Sequence, residues 1–185
     1  FAARRDICFL ANYTHAPNLD AALYFITDIL PLLHASLPAI RLILAGPHPG
    51  DTLQRHASAH VIITDHIANL ADLFDHARLF ICPLRAGAGV KGKIISALSH
   101  GLPVISTSIG IEGAGLTPGH DVLVADTPST FADAIIALYQ DETEWQRLSA
   151  NALAYVETTA SSNHGGHHLT AILDAAFAQR LSLRL

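Results

Sequence analysis

Short apolar runs alternate along this chain with longer segments of helical spacing. Residues 6–11 (DICFLA), 41–45 (RLILA), 60–64 (HVIIT), 78–82 (RLFIC), 103–106 (PVIS) and 121–125 (DVLVA) read as six strands, each apolar throughout rather than alternating. Between the first two, Leu19, Leu23, Phe25, Ile26, Ile29, Leu30 and Leu33 recur at helical spacing. Pro17 suits the start of that helix, and Pro31 is expected to kink it or to begin a separate last turn. Residues 51–59 allow a short helix, and 69–76 carry Leu70, Leu73 and Phe74 on one side of another. Residues 92–100 form a helical segment with Gly101 just past its end. Residues 129–139 are amphipathic, with Ser129 or Thr130 as the expected cap, and 142–156 predict a further helix. A last one is expected within 163–185, with Leu169, Ile172, Leu173 and Phe177 on its apolar side.

Strands without polar alternation must be buried on both faces. Their regular alternation with helices predicts an α/β fold: one Rossmann-like domain over residues 1–185, a parallel sheet of about six strands with helices on both faces. Right-handed crossovers then gather the strand-to-helix loops along one edge of the sheet, where ligands bind near a reversal of strand order. No internal repeat, low-complexity tract or linker divides the chain. It begins at Phe1 and holds no Met, as expected of a piece of a longer protein.

The segment richest in chemistry is Arg85-Ala86-Gly87-Ala88-Gly89-Val90-Lys91-Gly92-Lys93, between the fourth strand and the helix over 92–100. Its glycines permit a tight turn and close approach of backbone to a ligand. The helix behind it offers free amides and a positive dipole end. Arg85, Lys91 and Lys93 add charge there, so the parts of a diphosphate site are present. A glycine-rich surface turn with solvated charges is the alternative. The loop lacks the Gly-Lys-Ser/Thr ending of a P-loop, and its glycines do not follow the first strand as a dinucleotide fingerprint requires.

The run over residues 83–107, PLRAGAGVKGKIISALSHGLPVIST, resembles family-4 retaining glycosyltransferases of the GT-B fold, and within them a bacterial group with an R-x-G-A-G-x-K-G-K loop. Ala16-Pro17-Asn18-Leu19-Asp20-Ala21 resembles the P-N-x-D-A signature of that group, and Leu42 to Gly46 its L-x-I-x-G strand end. Residues 66–77, Ile111-Glu112-Gly113 and residues 121–125 resemble further collinear pieces, so the likeness extends from Asp6 to about Val156. It implies the C-terminal, donor-binding half of a two-domain enzyme that transfers sugar from a nucleoside diphosphate. The acceptor site and the usual catalytic His would lie in an N-terminal domain, so no catalytic residue is assigned here, and the isolated chain is expected to be inactive.

By the same resemblance, Arg85 and Lys91 contact the donor diphosphate, with Gly87, Gly89, Val90, Gly92 and Lys93 close by. The loop over residues 65–69, with His66 and Ile67, lies by the base, Ser96 stands near the ribose, and Glu112 and Gly113 lie at the sugar end. Neither a cofactor nor a metal is implied. A bacterial, cytoplasmic location is implied, with any attachment to the inner membrane made through the rest of the parent protein.

The chain departs from the family pattern at two Glu positions, where it has Ala88 and Ser96. A carboxylate accepts both ribose hydroxyls; a serine is shorter and neutral. Either the donor is bound differently or donor binding is lost, the second reading making the domain a non-catalytic assembly module or homo-oligomer. Ala11 stands where the family commonly has Gly, which predicts a slightly narrower site.

Composition excludes other classes. The net charge is −5 and the 11 Lys and Arg residues are scattered, so no nucleic-acid face is expected. No apolar run reaches the roughly 18 residues a membrane span needs, and no signal peptide is evident. Cys8 and Cys82 fall in strands and read as buried thiols. The His164, His167 and His168 cluster reads as a solvated helix start rather than a zinc site, and His15 as a surface or structural residue. Ser106, Thr107 and Ser108 lack a nucleophile elbow, and Trp145 reads as a packing anchor. The strand ends Ala11, Gly46, Thr64 and Pro83 lack the acidic cluster of a receiver domain.

Overall fold

The structure, a computed structural model, describes residues 1–65, 67 and 69–160. His66, the helix expected over 163–185 and the His164, His167 and His168 cluster lie outside the described residues. Six strands form one parallel sheet: β1 Asp6–Leu10, β2 Leu42–Ala45, β3 Val61–Thr64, β4 Ala77–Cys82, β5 Val104–Ser106 and β6 Leu123–Val124, in the order β3-β2-β1-β4-β5-β6. The central pair is β1 and β4, with Ile7 opposite Leu79 and Cys8 opposite Phe80. Ile7, Cys8, Phe9, Leu79, Phe80 and Ile81 are wholly buried, as unbroken apolar strands in a covered sheet require.

One face of the sheet carries α1 (Ala16–Tyr24), a π-helical turn (Phe25–Ile29), α2 (Leu30–Leu33), α3 (Gly50–Gln54) and, returning from β6, α7 (Pro128–Gln140). The other carries α4 (Leu70–His76), α5 (Gly92–Ser99) and α8 (Glu142–Tyr155). Phe25 and Phe131 meet edge-to-face at 6.1 Å on the first face, and Phe74 and Phe80 at 6.0 Å on the second.

The first long helix starts earlier than the apolar spacing suggests, at Ala16, with Pro17 in its opening turn. Pro31 stands in the first turn of a separate last segment, α2, the second of the two expected outcomes, rather than kinking one continuous helix. Pro31 has no amide proton to give the Thr27 carbonyl, and its ring would crowd that carbonyl. The helix widens just before it, and the Leu30 amide donates to the Phe25 carbonyl, five residues back. The cap of α7 also differs from expectation: it is Thr127, not Ser129 or Thr130. Pro128 needs no amide partner and suits the first helical position, which moves the start forward. The Thr127 hydroxyl accepts from the Thr130 amide and the Thr130 hydroxyl from the Thr127 amide, each at 3.2 Å. A short helix, α6 (Ser108–Ile111), was not foreseen. Trp145 is the expected anchor: it is buried, and its indole N–H donates to the Arg78 carbonyl at 2.6 Å.

Cys8 and Cys82 are buried and free, and burial raises both thiols, Cys82 to about 11, so neither is a thiolate at neutral pH. Among the described residues, no helix is long and apolar enough to cross a membrane.

The ends of β1 and β2 are pressed together. The Ala11 amide donates to the Ala45 carbonyl at 2.9 Å, and Gly46 follows with φ at 124°. A methyl group at Gly46 would stand 2.1 Å from the Ala11 carbonyl oxygen. Gly46→Ala is therefore expected to destabilise the chain by about 2–4 kcal/mol through backbone strain and the clash together, read as a lower urea midpoint with an unchanged slope.

Candidate functional site

The chain leaves β1 toward β2 on one side and β4 toward β5 on the other, so the loops after β1 and β4 diverge. In open parallel sheets this reversal leaves a crevice at the carboxyl ends of the two strands. A cavity of about 480 Å³ occupies it. His15, Pro17 and Asn18, from the β1–α1 connection, form one wall. Leu84, Ala86, Gly87, Ala88, Val90, Lys91, Gly92 and Lys93 form the other.

The second wall is held from below. Pro83 and Leu84 are buried, and the Thr107 hydroxyl, at the end of β5, donates to the Leu84 carbonyl at 2.5 Å. The same hydroxyl accepts from the Gly110 amide at 3.1 Å and so caps α6. Beyond Leu84 the loop is exposed, and Gly87 and Gly89 take φ of 125° and 73°, which side chains rarely adopt. The loop ends on Lys91, the N-cap of α5, whose side chain makes no capping bond. The first amides of α5 thus face the crevice without a side-chain cap, beside the positive end of the helix dipole.

The three cations of the loop have different surroundings. Lys93 reaches across the crevice, donating to Asn18 Oδ1 at 2.5 Å with its ammonium 4.7 Å from the centre of the Phe9 ring. Burial, and to a smaller degree Lys91, hold its pKa below the usual lysine value. Asn18 is fixed in turn by its own amide, which donates to the Asn12 carbonyl at 2.8 Å. Lys91 folds back to donate to the Gly89 carbonyl at 2.5 Å. Arg85 is not a wall of the cavity. Its guanidinium makes two bonds to Asp20, at 2.5 and 3.0 Å, and lies 4.5 Å from the centre of the Tyr24 ring.

The remaining expected residues stand farther out. The Ser96 hydroxyl donates to the Gly92 carbonyl at 3.1 Å, one turn back along α5, and does not line the cavity. Ile67 packs against the core, and nearby Asp65 accepts from the His48 amide at 2.9 Å. Glu112 and Gly113 are exposed and line no part of the cavity, yet a Cβ at Gly113 would lie 3.7 Å from Val90, so this turn abuts the loop tip. Ala11 is buried against Gly46 and is no wall, so its methyl does not narrow the crevice.

Sequence reasoning missed the roles of Asn18, Asp20, Tyr24 and Thr107. The Pro17-Asn18-Leu19-Asp20 signature after the first strand was the available signal for the first two, since the β1 loop must meet the β4 loop at the reversal. Among the described residues, no group of three or more His, Cys, Asp or Glu side chains is gathered as metal ligands would be.

The profile of the family described as Glycosyl transferases group 1 matches residues 4–141. An uncharacterised 44.6 kDa protein in the cps region of Klebsiella pneumoniae is 26% identical over 166 residues, which are 85% of this chain and 43% of that protein. The chain thus spans less than half the length of this relative. Among solved structures, the C-terminal domain of LpcC, a glycosyl transferase group 1 family protein from Francisella tularensis, superposes with a TM-score of 0.67 at 14% identity, covering 85% of this chain and 87% of that one. Anabaena HepE, solved in complex with UDP and glucose, superposes with a TM-score of 0.71 at 15% identity, covering 94% of this chain and 49% of that one.

The support under the loop is open to test. Thr107→Val removes a hydroxyl that serves both Leu84 and Gly110 and leaves both partners buried and unbonded. We expect a loss of about 1–3 kcal/mol in chemical denaturation, with faster hydrogen exchange at the Gly110 amide.

Proposed function

The chain belongs to the group 1 glycosyl transferases and has the fold of the C-terminal domain of a GT-B enzyme; from that premise we propose that it binds the diphosphate of a nucleotide sugar in the crevice between β1 and β4. The observation that carries this reading is the cavity itself, walled by Lys91, Lys93, Gly87 with its positive φ, and the uncapped start of α5 at Gly92. Backbone amides and ammonium groups take the place of water around phosphate oxygens, and their positive charge lowers the cost of bringing a dianion to the surface. The HepE complex with UDP and glucose supports a nucleoside diphosphate as the ligand class.

In this reading the base lies toward the 65–69 loop, with His66 and Ile67, and the ribose toward Ser96. The sugar lies toward Glu112 and Gly113, beyond the loop tip. Arg85 joins the diphosphate by leaving Asp20. The chain's own cations neutralise the leaving diphosphate, so no metal is required. The acceptor sits on an N-terminal domain of the parent protein. Transfer retains anomeric configuration, and the 185-residue chain alone binds donor without turning over acceptor.

One observation favours a second reading. The Ser96 hydroxyl is spent on the Gly92 carbonyl, and a serine offers the ribose far less than the carboxylate of related enzymes. A domain with weak or no nucleotide affinity, kept for assembly with itself or with the rest of a glycosylation protein, fits that feature.

Calorimetry or saturation-transfer NMR with UDP, GDP and their sugars separates the two. We expect binding at millimolar nucleotide or below, and its loss on replacing Arg85 and Lys91 together with Ala. Absence of binding, together with a stable oligomer in light scattering, would favour the assembly reading.

Lys93 predicts a pH dependence. A charged ammonium attracts the anion and a neutral amine does not. Because burial lowers its pKa, UDP affinity should fall as pH rises through a point below the usual lysine range. Arginine does not titrate there, so Lys93→Arg should flatten this fall relative to the unaltered chain. Identical pH profiles for the two proteins would rule the ammonium out as the group responsible.

A further inference from the structure

We propose that Asp20 is a positioning residue that parks Arg85 on α1, outside the crevice, and competes with an incoming diphosphate for the same guanidinium. The inference rests on the anion-site reading above and adds to it a residue that sets affinity.

The geometry is that of a fitted seat. Asp20 and Tyr24 are four residues apart on α1 and share one face of it. Arg85 lies across both: its Nε and one terminal nitrogen meet the two carboxylate oxygens, and its plane approaches the tyrosine ring. Only arginine presents such a planar fork, and both carboxylate and phosphate match it. The hydrogen bonds from Arg85 hold the Asp20 carboxyl below the usual carboxylate range, so it is ionised at neutral pH and the seat is occupied.

The pair is also weak enough to open. The Arg85 and Asp20 side chains keep 51% and 42% of their surface exposed, and ion pairs so solvated contribute little. Asp6 and Arg41 offer the contrast within this chain. The same fork is made there, but the Asp6 side chain is only 10% exposed, at the start of β1, where it ties two strands together. Lys91 and Lys93 rest on neutral oxygens of Gly89 and Asn18, poor rivals to a diphosphate. Asp20 is thus the charged rival among the partners of the three loop cations.

Titration of inorganic pyrophosphate into the 185-residue chain near neutral pH and at low, fixed salt tests this. Asp20→Asn should tighten binding about two- to fivefold, the range that loss of one exposed ion pair allows. Asp20→Glu, which keeps the rival charge, should stay near the unaltered chain. In an Arg85→Ala background Asp20→Asn should change affinity by less than about 1.5-fold, because the competed group is gone. The Arg85 Nε–H resonance in nitrogen-15 NMR should move both on Asp20→Asn and on adding pyrophosphate.

Equal tightening with and without Arg85 would reduce Asp20 to a distant charge and overturn the proposal. Weaker or unchanged binding by Asp20→Asn, with the unaltered chain still binding pyrophosphate, would overturn it too while leaving the anion site standing. Failure of every protein, including the unaltered chain, to bind pyrophosphate would remove the anion site and this proposal together.

Discussion

The parallel pairing of β1 with β4 is the constraint from which the rest of the molecule follows. These strands sit at the centre of the sheet, and the chain departs from them in opposite directions. Because Ile7, Cys8, Phe9, Leu79, Phe80 and Ile81 are wholly buried, each strand needs a helical layer above and below it. The layers arrive by crossovers that diverge at the carboxyl ends of β1 and β4, and the crevice is the space they leave open. The same packing that excludes water from the core thereby sets two loops opposite each other at its edge.

α1 serves both regions. Ala21 and Ala22, with Phe25 and Ile29 of the π-helical turn that follows, are buried and carry the helix on the sheet, while Asn18 and Asp20, in its first turns, hold Lys93 and Arg85. Pro17 opens the helix, and the π-helical turn that follows it accommodates Pro31. Lys93, held at the crevice by a helix so packed, loses little freedom when an anion arrives, whereas Arg85 must first leave Asp20. Thr107 does the equivalent for the loop itself, tying its first residue to the end of β5.

Charge and burial are in tension at Lys93. Its ammonium lies over an aromatic face and against one neutral oxygen, which lowers the cost of burying it without supplying a counter-charge. The depressed pKa is the residue of that shortfall. An anion in the crevice would supply what is missing, whereas Arg85 already has its counter-ion in Asp20.

The apolar runs and their alternation with helical segments were enough to read the parallel sheet, because burial on both faces leaves its mark on the residues of the central strands. The glycine and cation pattern of residues 85–93 was likewise legible, since both the conformations and the charges belong to those residues alone. Local sequence could not show what depends on partners distant along the chain. Arg85 turns toward Asp20, 65 positions earlier, rather than into the cavity, and Lys93 meets Asn18, 75 positions earlier. The sequence suggests Ala11 as a narrowing of the site, but it is buried away from the cavity wall with its backbone against Gly46, because the ends of β1 and β2 meet there. Conformational freedom and charge are properties of a residue and can be read along the chain; which acceptor a charge finds depends on which loops the sheet order brings together, and that only the tertiary structure decided.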